Sequence, residues 1–390
     1  MREGWTYKKL GEVCEILNGF AFKSGNYTEQ GIRVLRITNV QKGLIVDDDP
    51  KYYPFDEETN LKQYMLKEGD LLMSLTGNVG RVGLLQKNLL PAALNQRVAC
   101  LRIKNSNIQL EYIFHLLNSD CFERDCIFNA TGIAQKNMST EWLKKYNIPI
   151  PSLSEQQSIV AELDKINELM SLKKAQLSDL DSLAQSIFYD MFGDPIENEK
   201  GWEVKRIGNI GTVERGAGIS KKDFVDEGLP CIHYGQLHTI LGPTTKHHYS
   251  CIPESLLPKY KIAHTGDLIM AITSEDVEGS CKSTAWLGNY DVVVGSDAAI
   301  LHHEQNGTFL SYYTMTKAFF NEKSKYAKGF KVTHISTREI ESISIFLPPL
   351  PLQQEFAKRI ELIEQQKAQI SSTIKDLETL LASRMQYWFD

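Results

Sequence analysis

The chain has 390 residues, of which 42% are hydrophobic and 24% charged, a composition typical of globular proteins. At about 150 residues per domain it is long enough for two or three domains, and no run of about 18 apolar residues predicts a membrane span. The net charge is −6, but residues 151–200 alone contain 10 acidic and 4 basic residues. The blocks on either side are therefore close to neutral, which leaves room for local basic patches.

Cysteine usage and the N-terminus indicate a cellular compartment. The seven cysteines are odd in number and scattered, without Cys-x-x-Cys spacing, which disfavours a disulfide framework or a zinc ribbon. The first ten residues contain no apolar signal-peptide core. We expect reduced thiols in a cytoplasmic protein that has no contact with membranes.

Short elements predict a mixed fold in the first globular block and its counterpart in the second. Residues 33–37, 70–75 and 98–103 are predicted to form strands, because apolar residues alternate or form short runs there. Residues 110–118 are predicted to form a short helix, and residues 312–320 its counterpart. Each block is therefore interpreted as an α+β domain with a curved, mostly antiparallel sheet.

The sequence repeats itself once, at a constant offset of 197. Gly-Asp-Leu-Leu-Met at 69–73 recurs as Gly-Asp-Leu-Ile-Met at 266–270. Pro-x-Leu-x-x-Gln-Gln at 151–157 recurs at 348–354. One register held from end to end predicts two similar domains, each followed by a helix. The predicted segments are a first globular domain, a first spacer helix, a second globular domain and a second spacer helix, at residues 1–150, 151–194, 195–349 and 350–390.

The segment after each globular block predicts a long helix. Residues 155–192 contain neither Pro nor Gly, and their apolar residues alternate at spacings of four and three, as in a coiled-coil seam. The second tail repeats this seam in the same register. The seam positions are Ile159, Leu163, Ile166, Leu177, Leu180, Ile187, Ile360, Ile363, Ile370, Ile374, Leu377 and Leu381. A pseudo-two-fold axis between the repeats predicts antiparallel pairing, and the alternative is that each helix packs on its own domain.

Catalytic motifs are missing from the sequence. It contains no Walker-type phosphate loop, Gly-x-Gly-x-x-Gly, His-Glu-x-x-His or Gly-x-Ser-x-Gly. Eight of the nine histidines lie in the second half, but their adjacent pairs would point apart on a strand. We therefore predict no catalytic residue, no metal site and no cofactor in this chain.

Polar, glycine-containing loops carry the side chains that bind phosphates or base edges. They occur at residues 74–81, at 131–137 and, as the repeat partner of the second loop, at 328–334. For each side chain the alternative is a solvated loop or a hydrogen bond that stabilises the fold. The candidate contacts to phosphates or base edges in these loops are Thr76, Asn78, Arg81, Gln135, Lys136, Asn137, Lys328, Lys331, Thr333 and His334.

Three segments resemble a known family. Residues 130–139 read Ala-Thr-Gly-Ile-Ala-Gln-Lys-Asn-Met-Ser, and residues 148–157 read Ile-Pro-Ile-Pro-Ser-Leu-Ser-Glu-Gln-Gln. Met-Phe-Gly-Asp-Pro at 191–195 precedes Gly-Trp at 201–202, which repeats the Gly-Trp at 4–5. This set resembles the specificity subunit of type I restriction–modification systems over essentially the whole chain. The second copy departs from the pattern, because residues 328–336 do not contain Gln-Lys-Asn.

The resemblance implies a DNA-reading subunit without catalysis of its own. Each target recognition domain would read one half of a split double-stranded target. The loop candidates would then be DNA contacts, together with Ser274 and Lys282 and, as weaker candidates, Asn39 and Gln236. The helices would set the gap and dock two methyltransferase subunits, and two restriction subunits in the full complex. Those partners use S-adenosylmethionine, and ATP with Mg²⁺. The alternatives are a specificity partner of a type IIG-like restriction enzyme and a coiled-coil scaffold that binds only proteins.

Overall fold

The computed structural model describes residues 4–132, 136–219, 221–255, 260–327 and 332–390. The chain divides into two compact units. Unit 1 comprises Met1–Lys174 and Ser372–Asp390, and unit 2 comprises Ala175–Ser371. Each unit therefore contains one globular block together with one end of each long helix.

Unit 1 contains eleven strands among its described residues. They are β1 (Thr6–Lys9), β2 (Cys14–Asn18), β3 (Ile32–Leu35), β4 (Val40–Gln41), β5 (Leu44–Ile45), β6 (Tyr52–Tyr53), β7 (Leu71–Ser74), β8 (Val82–Leu84), β9 (Ala92–Leu94), β10 (Val98–Ile103) and β11 (Asn147–Ile150). The short helices are α1 (Leu10–Val13), α2 (Glu58–Leu61), α3 (Leu110–Leu117), α4 (Asp120–Asn129) and α5 (Thr140–Lys145). The strands predicted at 33–37, 70–75 and 98–103 are confirmed as β3, β7 and β10.

Two small sheets form the centre of unit 1. The main sheet has the antiparallel order β2-β10-β7-β8, and a second sheet has the order β6-β3-β9 with β3 and β9 parallel. Residues 98–101 of β10 are buried on both faces, which explains why their sequence is a continuous apolar run. A separate two-stranded ribbon pairs Thr6 of β1 with Ile150 of β11 and so joins the start of the block to its end.

The first long helix, α6 (Leu153–Phe192), follows β11. Unit 2 then repeats the pattern with β12 (Glu203–Arg206), β13 (Gly211–Arg215), β14 (Leu229–Ile232), β15 (Thr244–Thr245), β16 (Ser250–Ile252), β17 (Lys261–Ala263), β18 (Leu268–Ala271), β19 (Thr273–Ser274), β20 (Ser283–Trp286), β21 (Val292–Val294), β22 (Ala298–His303), β23 (Thr333–His334) and β24 (Ser344–Leu347). Its short helices are α7 (Tyr234–Thr239), α8 (Gly307–Tyr313), α9 (Lys317–Ser324) and α10 (Thr337–Glu341). The second long helix, α11 (Leu350–Phe389), follows β24.

Unit 2 has a layout similar to that of unit 1, with one strand more in each of the two sheets. Its larger sheet runs β13-β22-β18-β20-β15 and its smaller sheet runs β16-β14-β21-β17. The terminal ribbon pairs Glu203 with Leu347, the repeat equivalents of Thr6 and Ile150 in unit 1. The helix predicted at 312–320 is wrong, because that segment contains the end of α8 and the start of α9. Thr316 separates them, and its hydroxyl accepts a hydrogen bond from the Phe319 N–H at 3.3 Å, capping α9.

The offset of 197 is not constant, which corrects the single register expected from the sequence. Strand β9 and its counterpart β21 begin at Ala92 and Val292, an offset of 200. The reason is that residues 272–282, between β18 and β20, form a connection four residues longer than residues 75–81 between β7 and β8. Later connections are shorter, and the offset returns to 197 where α3 and α8 begin.

The two long helices pack together in each unit, and they run antiparallel there. In unit 1 Glu162 of α6 accepts a hydrogen bond from Trp388 Nε1 of α11 at 2.8 Å and forms an ion pair with Arg384. Farther along α6, Asn167 lines one cavity with the earlier α11 residue Glu378.

The same antiparallel direction holds in unit 2. There Lys367 of α11 pairs with Asp181 of α6 at 2.8 Å. The later α6 residue Phe192 packs edge-on against the earlier α11 residue Phe356, with ring centroids 5.3 Å apart. All twelve predicted seam residues are buried or half-buried.

A buried glutamine fixes the start of each long helix to its own globular block. Gln156 accepts a hydrogen bond from the Gln109 N–H at 2.9 Å and donates to the Pro151 carbonyl at 3.0 Å. In unit 2 Gln353 repeats this arrangement with Asn306 and with the carbonyl of Pro348. This is the structural role of the repeated Pro-x-Leu-x-x-Gln-Gln segment. No helix among the described residues is both long and apolar enough to cross a membrane.

Candidate nucleic-acid interface

In unit 1 two of the predicted DNA-contact loops lie side by side. The backbone N–H of Met138 donates to the Leu75 carbonyl at 2.8 Å, and the N–H of Gly77 donates to the Lys136 carbonyl at 3.0 Å. An isolated antiparallel bridge pairs Thr76 with Asn137. Two segments that are distant in the sequence thus form one surface, which we call the unit 1 loop surface (residues 75–81 and 136–138).

Local hydrogen bonds give the first of these loops its shape. Gly77 and Gly80 have φ angles of +70° and +83°, a backbone conformation that residues with a side chain rarely adopt. The Ser74 hydroxyl donates to the Asn78 carbonyl and accepts from the Arg81 N–H at 3.2 Å. The glycines and the serine therefore define a tight loop at the end of β7.

The unit 1 loop surface presents amide and cationic side chains. Asn78, Lys136 and Asn137 are exposed, whereas Thr76 and Arg81 are half-buried. The guanidinium of Arg81 donates to Oε1 of Gln41 at 2.5 Å, which orients it. Gln135, another predicted contact, lies outside the described residues.

Unit 2 builds the same backbone frame. Thr273 pairs with His334 in the β19–β23 ribbon, and these two residues are the repeat equivalents of Thr76 and Asn137. The N–H of Ile335 donates to the Ile272 carbonyl at 3.0 Å, which repeats the bond between Met138 and Leu75. We call residues 272–282 and 332–335 the unit 2 loop surface.

The side chains on the unit 2 loop surface differ from those of unit 1. His334 and Lys282 are exposed. The Lys282 ammonium donates to the carbonyl of His238 at 3.0 Å, and the His334 ring lies 3.3 Å from the Thr273 hydroxyl. Lys328 and Lys331, which were also predicted to contact DNA, lie outside the described residues.

The structure places two of the predicted contacts, Asn39 and Gln236, in the framework of their units. Both side chains are buried, at 3% and 4% exposure. Asn39 accepts from the Arg36 N–H and donates to the Val46 carbonyl, so it closes its own turn. Gln236 accepts from the N–H of residue 233 and donates to the hydroxyl of residue 250, which is likewise a framework role.

Two further predicted contacts, Ser274 and Thr333, are also buried. They are 8% and 4% exposed and pair with each other in the β19–β23 ribbon. Their backbones join the two segments of the surface, and their side chains are largely enclosed. The sequence contained no signal that separated them from their exposed neighbours.

Sequence reasoning also missed charged residues beside both surfaces. Arg97 is exposed, and its carbonyl accepts from the Leu75 N–H at 2.9 Å, so its backbone adjoins the unit 1 loop surface. In unit 2 the longer loop carries Glu275 and Asp276, both exposed. Glu275 occupies the repeat position of Asn78, and this alignment was the available signal. The two loop surfaces therefore differ in charge. The unit 1 loop surface presents cationic side chains, whereas the loop of the unit 2 surface also presents two exposed carboxylates.

The described part of the chain gives little support for metal binding or for reactive thiols. Within it, no group of three or more His, Cys, Asp or Glu side chains is arranged to hold a metal ion. All seven cysteines are free thiols. Burial raises the pKa of Cys14 and Cys281 to about 12, so these thiols stay protonated at neutral pH.

Comparisons with known proteins agree with the internal repeat. The family model described as a type I restriction modification DNA specificity domain matches twice, at residues 2–181 and 199–379. The MjaVIII specificity subunit of Methanocaldococcus jannaschii is 30% identical over 189 residues, covering 47% of this chain and 44% of that relative. The match thus spans less than half the length of this relative.

Two further proteins match along nearly the full chain. The putative MjaX specificity subunit of Methanocaldococcus jannaschii is 22% identical, covering 97% of this chain and 93% of that protein. The solved structure of a type I restriction–modification S subunit from M. genitalium has a TM-score of 0.54 and 14% identity. That match covers 99% of this chain and 96% of the solved chain, and it supports the fold.

Proposed function

The chain belongs to the type I restriction modification DNA specificity family, as a non-catalytic specificity subunit, and from this premise we propose how it reads DNA. Each loop surface binds one half of a bipartite double-stranded target. The four segments expected from the sequence then act as two readers, residues 1–150 and 195–349, on two spacer helices, residues 151–194 and 350–390.

One observation carries the proposal. The pair Thr76 and Asn137 recurs as Thr273 and His334, so both units hold the same backbone frame at the ends of equivalent strands. The exposed side chains on the two frames nevertheless differ. Equal frames with different side chains are what two readers of different half-sites require, because base edges are distinguished by side-chain donors and acceptors.

The side chains suggest which groups each surface reads. In unit 1 the Asn78 and Asn137 amides can pair with adenine, while Arg81 and Lys136 suit guanine or phosphate. In unit 2 the carboxylate of Glu275 suits the amino group of cytosine, and Lys282 suits guanine or phosphate. Two tethered readers also gain avidity, because the second contact becomes intramolecular.

The helices and the other subunits complete the proposed assembly. The antiparallel helices set the gap between the half-sites and dock two methyltransferase subunits, and two restriction subunits in the full cytoplasmic complex. S-adenosylmethionine, and ATP with Mg²⁺, belong to those partners. The net charge of −6 predicts that the isolated chain binds DNA weakly, since few phosphate charges are neutralised. The binding that remains is expected to be salt-sensitive, because Lys and Arg contacts to phosphates release counterions.

A methylation map tests this function. The chain is co-expressed with its cognate methyltransferase subunit in a host without DNA methylation, and modified bases are detected by sequencing. We expect one bipartite motif with methylated adenine in both halves. Replacing residues 195–349 by the equivalent domain of another specificity subunit should change one half of the motif and leave the other unchanged.

Two outcomes would contradict the proposal. If the subunits co-purify but no adenine is methylated, the chain is a scaffold that binds only proteins. If the domain exchange alters both halves of the motif together, the two units do not read independently. Methylation by the chain without its partner would instead show an intrinsic activity, which the family assignment excludes.

Glu275 gives a finer test of base reading. Glu275→Gln replaces the carboxylate by an amide of the same shape and should relax one position of the half read by unit 2. A lost base contact of this kind corresponds to about tenfold in discrimination. The half read by unit 1 is the internal control, and unchanged preference in both halves would remove Glu275 from the interface.

A further inference from the structure

A buried lysine lies directly behind the unit 2 loop surface. Lys323, near the end of α9, is 4% exposed. Its ammonium donates to the Glu278 carbonyl at 2.8 Å and also to the Ser280 carbonyl, both in the loop 272–282. A buried ammonium group is costly unless it has such partners, and its burial lowers the pKa of Lys323.

Unit 1 has a different residue at the equivalent position. Cys126 of α4 is the repeat equivalent of Lys323 and is fully buried under the shorter loop 75–81. The loop packs so closely there that a Cβ placed on Gly80 would lie 2.8 Å from the Cβ of Cys126. A small side chain therefore supports the short loop, and a long cationic one supports the loop that is four residues longer.

Both loops end in the same backbone hydrogen bond, although their lengths differ. The N–H of Gly80 donates to the Ser74 carbonyl, and the N–H of Cys281 donates to the Ala271 carbonyl. Both residues have left-handed φ angles, +83° and +56°. The next residue in each loop is a cation, Arg81 in unit 1 and Lys282 in unit 2. The longer loop thus has four more residues between two equivalent ends, and the Lys323 ammonium bonds two carbonyls of that loop.

We propose that Lys323 is a positioning residue for the unit 2 loop surface. It holds the carbonyls of Glu278 and Ser280 and so fixes the loop that presents Glu275 and Lys282, without touching DNA itself. Discrimination in the half-site read by unit 2 then depends on Lys323. We call the two hydrogen bonds from Lys323 to these carbonyls the clamp. The effect on DNA discrimination rests on the proposed function of the loop surface, whereas the clamp does not.

The physical basis is the dependence of base reading on geometry. Without the ammonium, two loop carbonyls lose their charged donor, and the loop gains conformations in which Glu275 and Lys282 are displaced. A recognition group must stay within about 0.5 Å of its productive position to discriminate between ligands. The loss should therefore appear as weaker discrimination at one half-site, with the fold of unit 2 intact.

Thiol labelling tests the clamp without DNA. Cys281 lies in the loop beside Lys323 and is 1% exposed, while Cys231 is fully buried in β14 of the same unit. In the full chain, Lys323→Met should raise the labelling rate of Cys281 about tenfold or more and leave Cys231 protected. Lys317→Met, on the exposed side of the same helix, is the matched control and should change neither rate.

The methylation map tests the consequence for DNA reading. In the complex with the methyltransferase, Lys323→Met should raise methylation at sites mismatched in the unit 2 half about tenfold, with mismatches in the unit 1 half unaffected. Lys323→Arg, which keeps the charged donor, should retain discrimination.

Several results would overturn the proposal. Cys281 staying protected in Lys323→Met removes the clamp, and labelling of Cys231 as well shows that Lys323 holds the whole fold. Discrimination that is unchanged, or lost equally in both halves, removes the link to unit 2. A wild-type complex that methylates no bipartite motif contradicts the proposed function instead, and the labelling rates still decide the clamp.

Discussion

The two units use the same framework aspartate with different partners. Asp70 in unit 1 and Asp267 in unit 2 both accept a hydrogen bond from the N–H three residues earlier, at 2.8 and 2.7 Å. Asp70 is then held by both Nε and Nη2 of Arg102, each at 2.7 Å. Asp267 is instead held by His302 Nδ1 at 2.8 Å. The repeat therefore retains the turn and varies the charge that stabilises it.

This difference shows which features of the repeat are architectural. The aspartate defines the turn in both units, because its backbone bond is the same in each. Its side-chain partner changes from a permanently charged bidentate donor to a ring that is charged only when protonated. Unit 1 should accordingly depend on this pair more strongly than unit 2.

The largest expected effect comes from removing the partner of the buried aspartate. Arg102→Leu leaves Asp70, which is 2% exposed, with its charge uncompensated and should destabilise unit 1 by about 3 kcal/mol. His302→Leu should cost unit 2 about 1 kcal/mol, because it removes a single hydrogen bond to Asp267. Hydrogen exchange of β7 and β10 against β18 and β22 measures the two effects separately. Equal losses of stability in the two units would contradict the prediction that unit 1 depends more strongly on this pair.

The helix anchors should behave alike in both units. Gln156→Leu removes the acceptor of the Gln109 N–H, and Gln353→Leu removes the acceptor of the Asn306 N–H, each in a buried site. We expect each change to cost its own unit about 2 kcal/mol, since a buried donor is left without a partner. Gln157→Leu and Gln354→Leu, at exposed neighbouring positions, are the controls. Losses that differ widely between the units would mean that the motif has different roles in them.

The anchors also show what sequence reasoning could and could not find. The motif at 151–157 and its repeat were visible in the sequence, and so were the seam and the central strands, because these depend on local periodicity. The function of Gln156 was not visible, because its partner Gln109 lies 47 residues away. The same limit applies to the loop surfaces. Spacing identified the loops, but only the fold shows that Thr76 meets Asn137 and that Asn39 is enclosed.

The connection between β18 and β20 illustrates a further limit. A constant offset of 197 matched Asn78 with Glu275 but could not match Arg81 with Lys282. The reason is that the four extra residues of unit 2 lie between Glu275 and Lys282. Their equivalence follows from backbone pairing, in which the N–H groups of Ser74 and Ala271 donate to the carbonyls of Arg81 and Lys282. Insertions within a repeat can therefore be located only after the strands are paired.

The smallest expected effect concerns acid stability, and it again distinguishes the two units. His303 of unit 2 ends β22 at the position where β10 of unit 1 ends in Ile103. Burial lowers the pKa of His303 below its usual 6.5, although the nearby Asp267 opposes this shift and His302 adds to it. The folded state therefore binds fewer protons than the unfolded state just below pH 6.5. The contribution of His303 to stability is complete above that pH and is lost as the pH falls.

Unit 2 should accordingly lose stability as the pH falls below about 6.5, and His303→Ile should reduce that loss. His264 acts in the opposite direction. Its hydrogen bond to Asp291 raises its pKa, so its contribution is present at low pH and is lost as the pH rises. That pair is exposed and screened by solvent, so we expect the buried ring to dominate. Hydrogen exchange of β22 across this range, compared with β10, measures the difference. An acid response in His303→Ile as steep as in the wild type would assign the effect to other groups.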